Sequence, residues 1–265
     1  MAGAIHVGVG GWTYEPWRAN FYPKGLTQSR ELDYASRQLT AIEINGTYYG
    51  TQKRESWRKW AAAVPDGFRF TAKASRYCTN RRVLAEAGES IAKFLGQGLA
   101  ELGPKLGPIL WQFAPTKAFD AEDFARFLDL LPPVQEDVPI RHALEVRHPS
   151  FACPAFVDLA RERGCAIIFA DHPDYPEIAD LTAPFVYARL QKTVAEEPAG
   201  YSADRLDHWA SVARGWAGGS APEGLPYAGT PSAGTGGPRD VYLFVISGAK
   251  ERNPAAAMAL IERLR

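Results

Sequence analysis

Arg141-His-Ala-Leu-Glu-Val-Arg-His148 is a short apolar run that ends in charge. Residues two apart on a strand face the same way. Glu145 and Arg147 therefore share one face, while His142, Leu144 and Val146 share the other and suit contact with helices. Seven more runs have the same character: Ile5–Trp12, Ala41–Tyr49, Phe68–Ser75, Leu106–Phe113, Ala166–Asp171, Phe185–Leu190 and Asp240–Ser247. Segments with helical spacing of apolar residues follow most of them, at Ser29–Leu39, Lys53–Val64, Ala87–Leu102, Ala121–Leu131, Pro154–Arg163, Ser202–Trp216 and Pro254–Leu264. Gly96 and Gly98 weaken the third of these segments. Eight strands alternating with helices predict an α/β fold, a single (β/α)8 TIM barrel over residues 1–265, with its site at the carboxyl ends of the strands.

Two stretches break the alternation. His172–Pro184 holds three prolines and no helical pattern, so the helix between strands six and seven is expected to be reduced to a loop. Residues 218–238, just before strand eight, carry seven glycines and four prolines in 21 residues. Such a composition buries little apolar surface. The expectation is a flexible, dispensable insertion on the face opposite the site.

Composition narrows the function classes. Thirty basic residues balance thirty acidic ones. The chain as a whole has no electrostatic reason to bind extended nucleic acid or an anionic membrane. No apolar run reaches the roughly 18 residues of a membrane span. Cys78, Cys153 and Cys165 form no CxxC pair, which argues against disulfide or zinc frameworks. The start reads as a strand rather than a signal peptide, and a reducing cytoplasm is the expected location. Nothing in the sequence fixes an oligomeric state.

The blocks at the strand ends carry a resemblance. They are Gly8-Val-Gly-Gly-Trp12-Thr-Tyr14-Glu-Pro-Trp17, Glu43-Ile-Asn45-Gly-Thr47-Tyr-Tyr49, Phe70-Thr-Ala-Lys73, Leu106-Gly-Pro-Ile-Leu-Trp-Gln112, Glu145-Val-Arg147-His-Pro-Ser150, Asp171-His-Pro173 and Tyr187-Ala-Arg189. In this order they resemble the YecE-like family, a domain family of unknown function. The resemblance implies a TIM barrel and no established activity. It also marks three departures at the functional end. The family's Thr-His motif is Thr79-Asn80 here, its Arg-x-His-Gly is Arg189-Leu-Gln191-Lys192, and its closing asparagine pair is Ile246-Ser247. They point to a divergent member with altered substrate or reduced chemistry.

The strand-end residues allow more than one reading. Glu43 and Asn45, Thr71 and Lys73, Glu145 and Arg147, and Tyr187 and Arg189 pair by alternation and should face the barrel mouth. In one reading they form a buried ion network that only closes the barrel. In the other, Lys73, Arg147 and Arg189 bind a small anion such as a phosphorylated sugar or nucleotide-like compound. Glu145, Asp171 and Glu43 then move protons, and Asn45, Gln112, Trp12 and Tyr14 contact the substrate. The second reading is a hydrolase or isomerase; the alternatives are a non-catalytic binding barrel or a degenerate scaffold. Lys73 could also form a Schiff base. Histidine spacing suits no metal site, so neither metal nor other cofactor is expected.

Overall fold

A computed structural model describes residues 2–231 and 236–265. Eight strands close a parallel barrel: β1 (Ile5–Gly10), β2 (Ala41–Ile44), β3 (Arg69–Lys73), β4 (Leu106–Gln112), β5 (His142–Glu145), β6 (Ala166–Asp171), β7 (Phe185–Leu190) and β8 (Asp240–Val245). Neighbours in space follow chain order, and β8 closes on β1 through pairs such as Val7 with Leu243. The outer ring consists of α1 (Glu31–Gln38), α2 (Arg54–Ala63), α3 (Gly88–Leu95), α4 (Ala121–Asp129), α5 (Pro154–Glu162), α6 (Ala203–Ala217) and α7 (Asn253–Leu264). The chain from Phe113 to Phe156 shows how the ring is held. Phe113 follows β4, and Phe124, Phe127, Phe151 and Phe156 pack around it and one another at ring-centroid distances of 4.9–6.5 Å. Offset and edge-on pairs of this kind add to the area they bury.

The long candidate at Ala87–Leu102 divides. Helix α3 stops at Leu95, and a 3-10 segment runs from Leu99 to Lys105. The break falls on the two glycines, with Gly98 in a positive-φ conformation (114°). An unforeseen hairpin pairs Val134–Gln135 with Val138–Pro139. Its turn residues Glu136 and Asp137 both take positive φ, as a tight hairpin turn of this hand demands.

Alternation sorts each strand into two faces. One set, including Val7, Ile42, Phe70, Trp111, Leu144 and Ala188, packs outward against the helices. The inner set includes Leu110, Ala143, Ile168, Tyr187, Tyr242 and Phe244 and fills the barrel. The lower end is plugged by aromatic rings. His6 stacks on Tyr242 at 5.1 Å, and the Arg141 guanidinium lies 5.0 Å from the same ring. Burial, then the Arg69 charge, lowers the His6 pKa to about 4, so the plug carries a neutral imidazole at ordinary pH. The polar side chains Glu43, Lys73, Gln112, Glu145 and Arg189 lie towards the opposite, carboxyl end.

No helix lies between β6 and β7, as the prolines foretold. The segment instead buries Ile178, Ala179 and Leu181 against the barrel wall. The insertion corrects the composition argument in part. Its described residues are fastened: Asp180 Oδ2 accepts from Ala228 N at 2.7 Å, and Oδ1 from Gly229 N at 3.0 Å. Pro226 O accepts from Ala179 N at 2.8 Å. Leu225 and Tyr227 pack against the core. Two apolar side chains and a buried carboxylate dock a segment that glycine and proline content alone would leave free. Residues 232–235 lie outside the described residues.

Two predictions follow from these contacts. A Cβ on Gly8 would lie 1.9 Å from Ala41 O, so β1 and β2 approach only without a side chain there. Gly8→Ala is expected to destabilise by about 1–3 kcal/mol or more, the usual range for overpacking. Gly50→Ala, in open space, should leave the urea midpoint unchanged. Replacing 218–238 by a short Gly/Ser linker should lower the Tm by more than about 5 °C, since over 1 kcal/mol of docking is lost; an unchanged Tm would return the segment to a dispensable surface loop.

Candidate functional site

The mouth is built on two carboxylates. Glu43 from β2 and Glu145 from β5 are fully buried, three strands apart around the barrel. Arg189 from β7 spans between them: its Nη2 donates to Glu43 Oε1 at 3.1 Å and its Nη1 to Glu145 Oε2. Glu145 Oε1 also accepts from Arg147 Nε at 2.8 Å and from Gln112 Nε2 at 3.0 Å. Glu43 Oε2 accepts from the Tyr187 hydroxyl at 2.6 Å, and that hydroxyl lies 2.9 Å from Thr71 Oγ1. The chain Thr71–Tyr187–Glu43–Arg189–Glu145–Arg147 thus crosses the barrel without leaving a carboxylate oxygen free.

The network fixes protonation. Burial favours neutral Glu145, but the cations Arg189, Arg147 and Lys73 outweigh it and pull its pKa down to about 2. Burial also opposes the charge on Arg189, and Glu145 with Glu43 overcomes it. Burial pushes the Tyr187 phenol well above its ordinary value, and the Glu43 charge adds to that. Glu145 therefore stays ionised and fully hydrogen-bonded near neutral pH. It is placed to orient Arg147 and Arg189 rather than to give up a proton.

Lys73 is different. Its ammonium lies 4.1 Å from the centroid of the Tyr48 ring, and no carboxylate pairs with it among the described residues. Burial, followed by the Arg189 charge, lowers its pKa to about 8 despite the pull of Glu43 and Glu145. Lys250, after β8, stands 4.1 Å over the Tyr14 ring, with its pKa lowered by burial. Both lysines line a cavity of about 560 Å3 with Asn45, Gln112, Arg147 and Arg189. Tyr175, on the helix-free segment after β6, covers Arg147 from 4.4 Å and stacks on His172 at 4.0 Å.

Most sequence-derived site residues meet here, and one does not. Ala170, the inward neighbour of Arg189 in the β6–β7 register, takes the place expected for Asp171. Asp171 points to the other face, where its Oδ1 pairs with Lys192 at 2.7 Å and its Oδ2 lies 3.7 Å from Arg205. It fastens the loop after β7 to α6 and does not reach the mouth. Trp12 and Tyr14 sit beside the cavity in an adjoining lobe with Asn45. Tyr49 stands at the rim of the cavity and is 72% exposed. Trp17 and Trp111 are buried in the core outside the barrel, and Trp111 Nε1 donates to His142 Nδ1 at 3.1 Å. The sequence reading missed Lys250 and Tyr175, which lie in loops beyond the strand ends; only their closeness to those ends signals them.

The three departures noted in the sequence lie around this mouth. Asn80 donates to the Tyr48 hydroxyl at 3.1 Å and so steadies the ring under Lys73. Lys192 bridges Asp171 and Glu177, the latter also at 2.7 Å. Gln191 is buried nearby. Ile246 and Ser247 line the cavity, Ser247 with a positive φ of 64°. No three His, Cys, Asp or Glu side chains converge as a metal-ligand set among the described residues.

A closed parallel barrel with a polar mouth at its carboxyl end defines a TIM-barrel protein. The chain belongs to the family described as "Protein of unknown function DUF72", which it matches over residues 6–265; this is the YecE family to which the sequence blocks pointed. Its fold is similar to that of a DUF72 family protein from Thermotoga maritima, with a TM-score of 0.71, 20% identity and 98% of each chain covered. A DUF72 family protein from Enterococcus faecalis gives 0.68 at 18% identity, covering 98% of this chain and 97% of that one. A xylose isomerase-like TIM barrel/4-hydroxyphenylpyruvate dioxygenase fusion protein gives 0.52 at 13% identity, over 99% of this chain and 44% of the other. No curated protein matches the sequence. No helix is long and apolar enough to cross a membrane among the described residues.

The network yields a stability prediction. Glu145→Gln removes the carboxylate that pairs with Arg147 and leaves Arg189 with Glu43 alone, and a loss of about 3–5 kcal/mol is expected. Glu122→Gln, in an exposed pair with Arg126, should leave the urea midpoint unchanged. The folded pKa of Glu145 lies below its unfolded value of 4.5. Its contribution is therefore complete above about pH 4.5 and is lost as pH falls towards 2, which wild-type urea titrations across that window will show as a declining midpoint.

Proposed function

We propose that the mouth is the site of an enzyme that binds a small anion, a phosphate ester or carboxylate, using protein cations in place of a metal. One observation carries this reading: two ammonium groups without carboxylate partners among the described residues, Lys73 and Lys250, face a cavity above a network that has already neutralised itself. A purely structural ion network accounts for Glu43, Glu145, Arg147 and Arg189. It gives no reason for two further cations where burial penalises charge. An anion among Lys73, Lys250 and the outer edge of Arg147 would neutralise them.

Lys73 is the proposed proton-transfer group. A pKa of about 8 leaves it mostly charged at pH 7 yet able to exchange a proton, the condition for general acid–base work. Glu145 and Glu43 are assigned to holding the arginines, which replaces the acid–base role first considered for them. Proton transfer of this kind serves isomerisation and hydrolysis equally.

Calorimetric titration with inorganic phosphate tests the reading. Binding should weaken as pH rises through about 8, because Lys73 loses the charge that attracts the anion. Lys73→Met should reduce affinity about tenfold or more, the order of one charge-assisted hydrogen bond, and should flatten the pH dependence. Undetectable heat for wild type at millimolar phosphate would leave the self-neutralising network as a structural device only.

A further inference from the structure

The mouth extends past the anion cavity. A second lobe of about 370 Å3 adjoins it, walled by Trp12, Tyr14 and Trp60 and edged by Asn45 and Gln52. The two lobes share Gly10, Asn45 and Lys250. Gly10 is the sill between them. A Cβ there would lie 2.8 Å from Asn45 Nδ2 and 3.5 Å from Ile246 Cδ1, so a side chain would stand between the lobes.

The chemistry of the second lobe is specific. Trp12 meets Trp60 edge-on at 5.2 Å and is braced by Phe70 at 6.4 Å, so its ring is held in place while remaining half-exposed. Tyr14 is propped against buried Trp17 at 5.6 Å. Two carboxamides stand at the edge with spare hydrogen-bonding capacity. Asn45 Nδ2 reaches only its own strand, at 3.4 Å from Glu43 O. The Gln52 side-chain amide has no hydrogen bond among the described residues; only its backbone N–H is bound, to Gln97. No carboxylate lines this lobe.

Flat aromatic walls with carboxamides at the edge match a heterocyclic base, which presents two π-faces and a rim of mixed donors and acceptors. A sugar ring instead presents many hydroxyl donors, for which this lobe offers no carboxylate acceptor. On the proposal that the cationic lobe takes an anion, we infer that the full occupant is a nucleoside monophosphate. Its phosphate lies near Lys73 and Lys250, its base lies against Trp12 or Tyr14, and its ribose crosses the Gly10 sill. Lys250, shared by both lobes, stands where the two halves meet.

The test titrates wild type by calorimetry with inorganic phosphate, ribose 5-phosphate and adenosine 5′-monophosphate at one pH below 8. The monophosphate should bind about tenfold or more tightly than ribose 5-phosphate, as expected for one stacked base, and should quench tryptophan fluorescence. Trp12→Leu should bring the monophosphate to the affinity of ribose 5-phosphate and leave inorganic phosphate unaffected. Gln52→Ala, whose side chain makes no hydrogen bond among the described residues, should weaken the monophosphate alone and serves if Trp12→Leu fails to fold. Equal affinity for ribose 5-phosphate and the monophosphate, or an effect of neither variant, overturns the inference while the anion site stands. Absence of binding by all three compounds overturns both.

Discussion

Two carboxylates buried at the top of a barrel can exist there only if cations come with them. Moving each from water into the interior costs several kcal/mol, and the loss is offset only by close, well-aligned partners. Glu43 and Glu145 meet that condition through Arg189, which takes one carboxylate with each end of its guanidinium. The pairing does more than stabilise: it ties β2, β5 and β7 at one level and sets the diameter of the mouth. Tyr187 and Thr71 extend it to β3, and Gln112 to β4. Five of eight strands thus end on one connected set of polar side chains.

A closed network of this kind divides its neighbours into those it uses and those it leaves over. Arg147 belongs to both groups, since one edge bonds Glu145 and the other meets Tyr175. Lys73 is left over, near enough to Arg189 to feel its charge and turned onto an aromatic ring instead of an acid. A cation–π contact holds an ammonium in place without neutralising it. Tyr48 under Lys73 and Tyr14 under Lys250 do this at two edges of the mouth. The positive charge is held in position without a carboxylate partner among the described residues.

The fold was legible because four strands alternate apolar residues with polar or charged ones near their ends and so declare their parity. Glu145 with Arg147 and Tyr187 with Arg189 could be placed inward from spacing alone, since Leu144, Val146 and Ala188 demanded the outward face. Ala166–Asp171 offers no such contrast. It is apolar on both faces, as a strand covered on both sides must be, so its terminal aspartate could be assigned to either. Only the register with β7, where Ala170 stands opposite Arg189, settles it. Lys250 and Tyr175 were illegible for another reason: loops have no period, and their side chains reach the mouth through tertiary path. Insertion docking was missed because composition averages over a segment, whereas one partner such as Asp180 acts at a point.

The absent helix and the extra loop are two halves of one substitution. Where a barrel of this kind would set a helix between α5 and α6, the chain instead buries Ile178, Ala179, Leu181 and Ala183 against the wall. The insertion then crosses from the end of α6 and lays Gly229 against Val157 of α5 and Asp180 of that segment. A wall left bare on one side has been roofed from the other, by residues more than forty positions later in the chain. Neither piece is therefore modular. In a chimera, a relative that carries a helix at the first position would have no berth for this loop, and a relative lacking both would expose β6. Exchange of segments between such barrels has to move the two together.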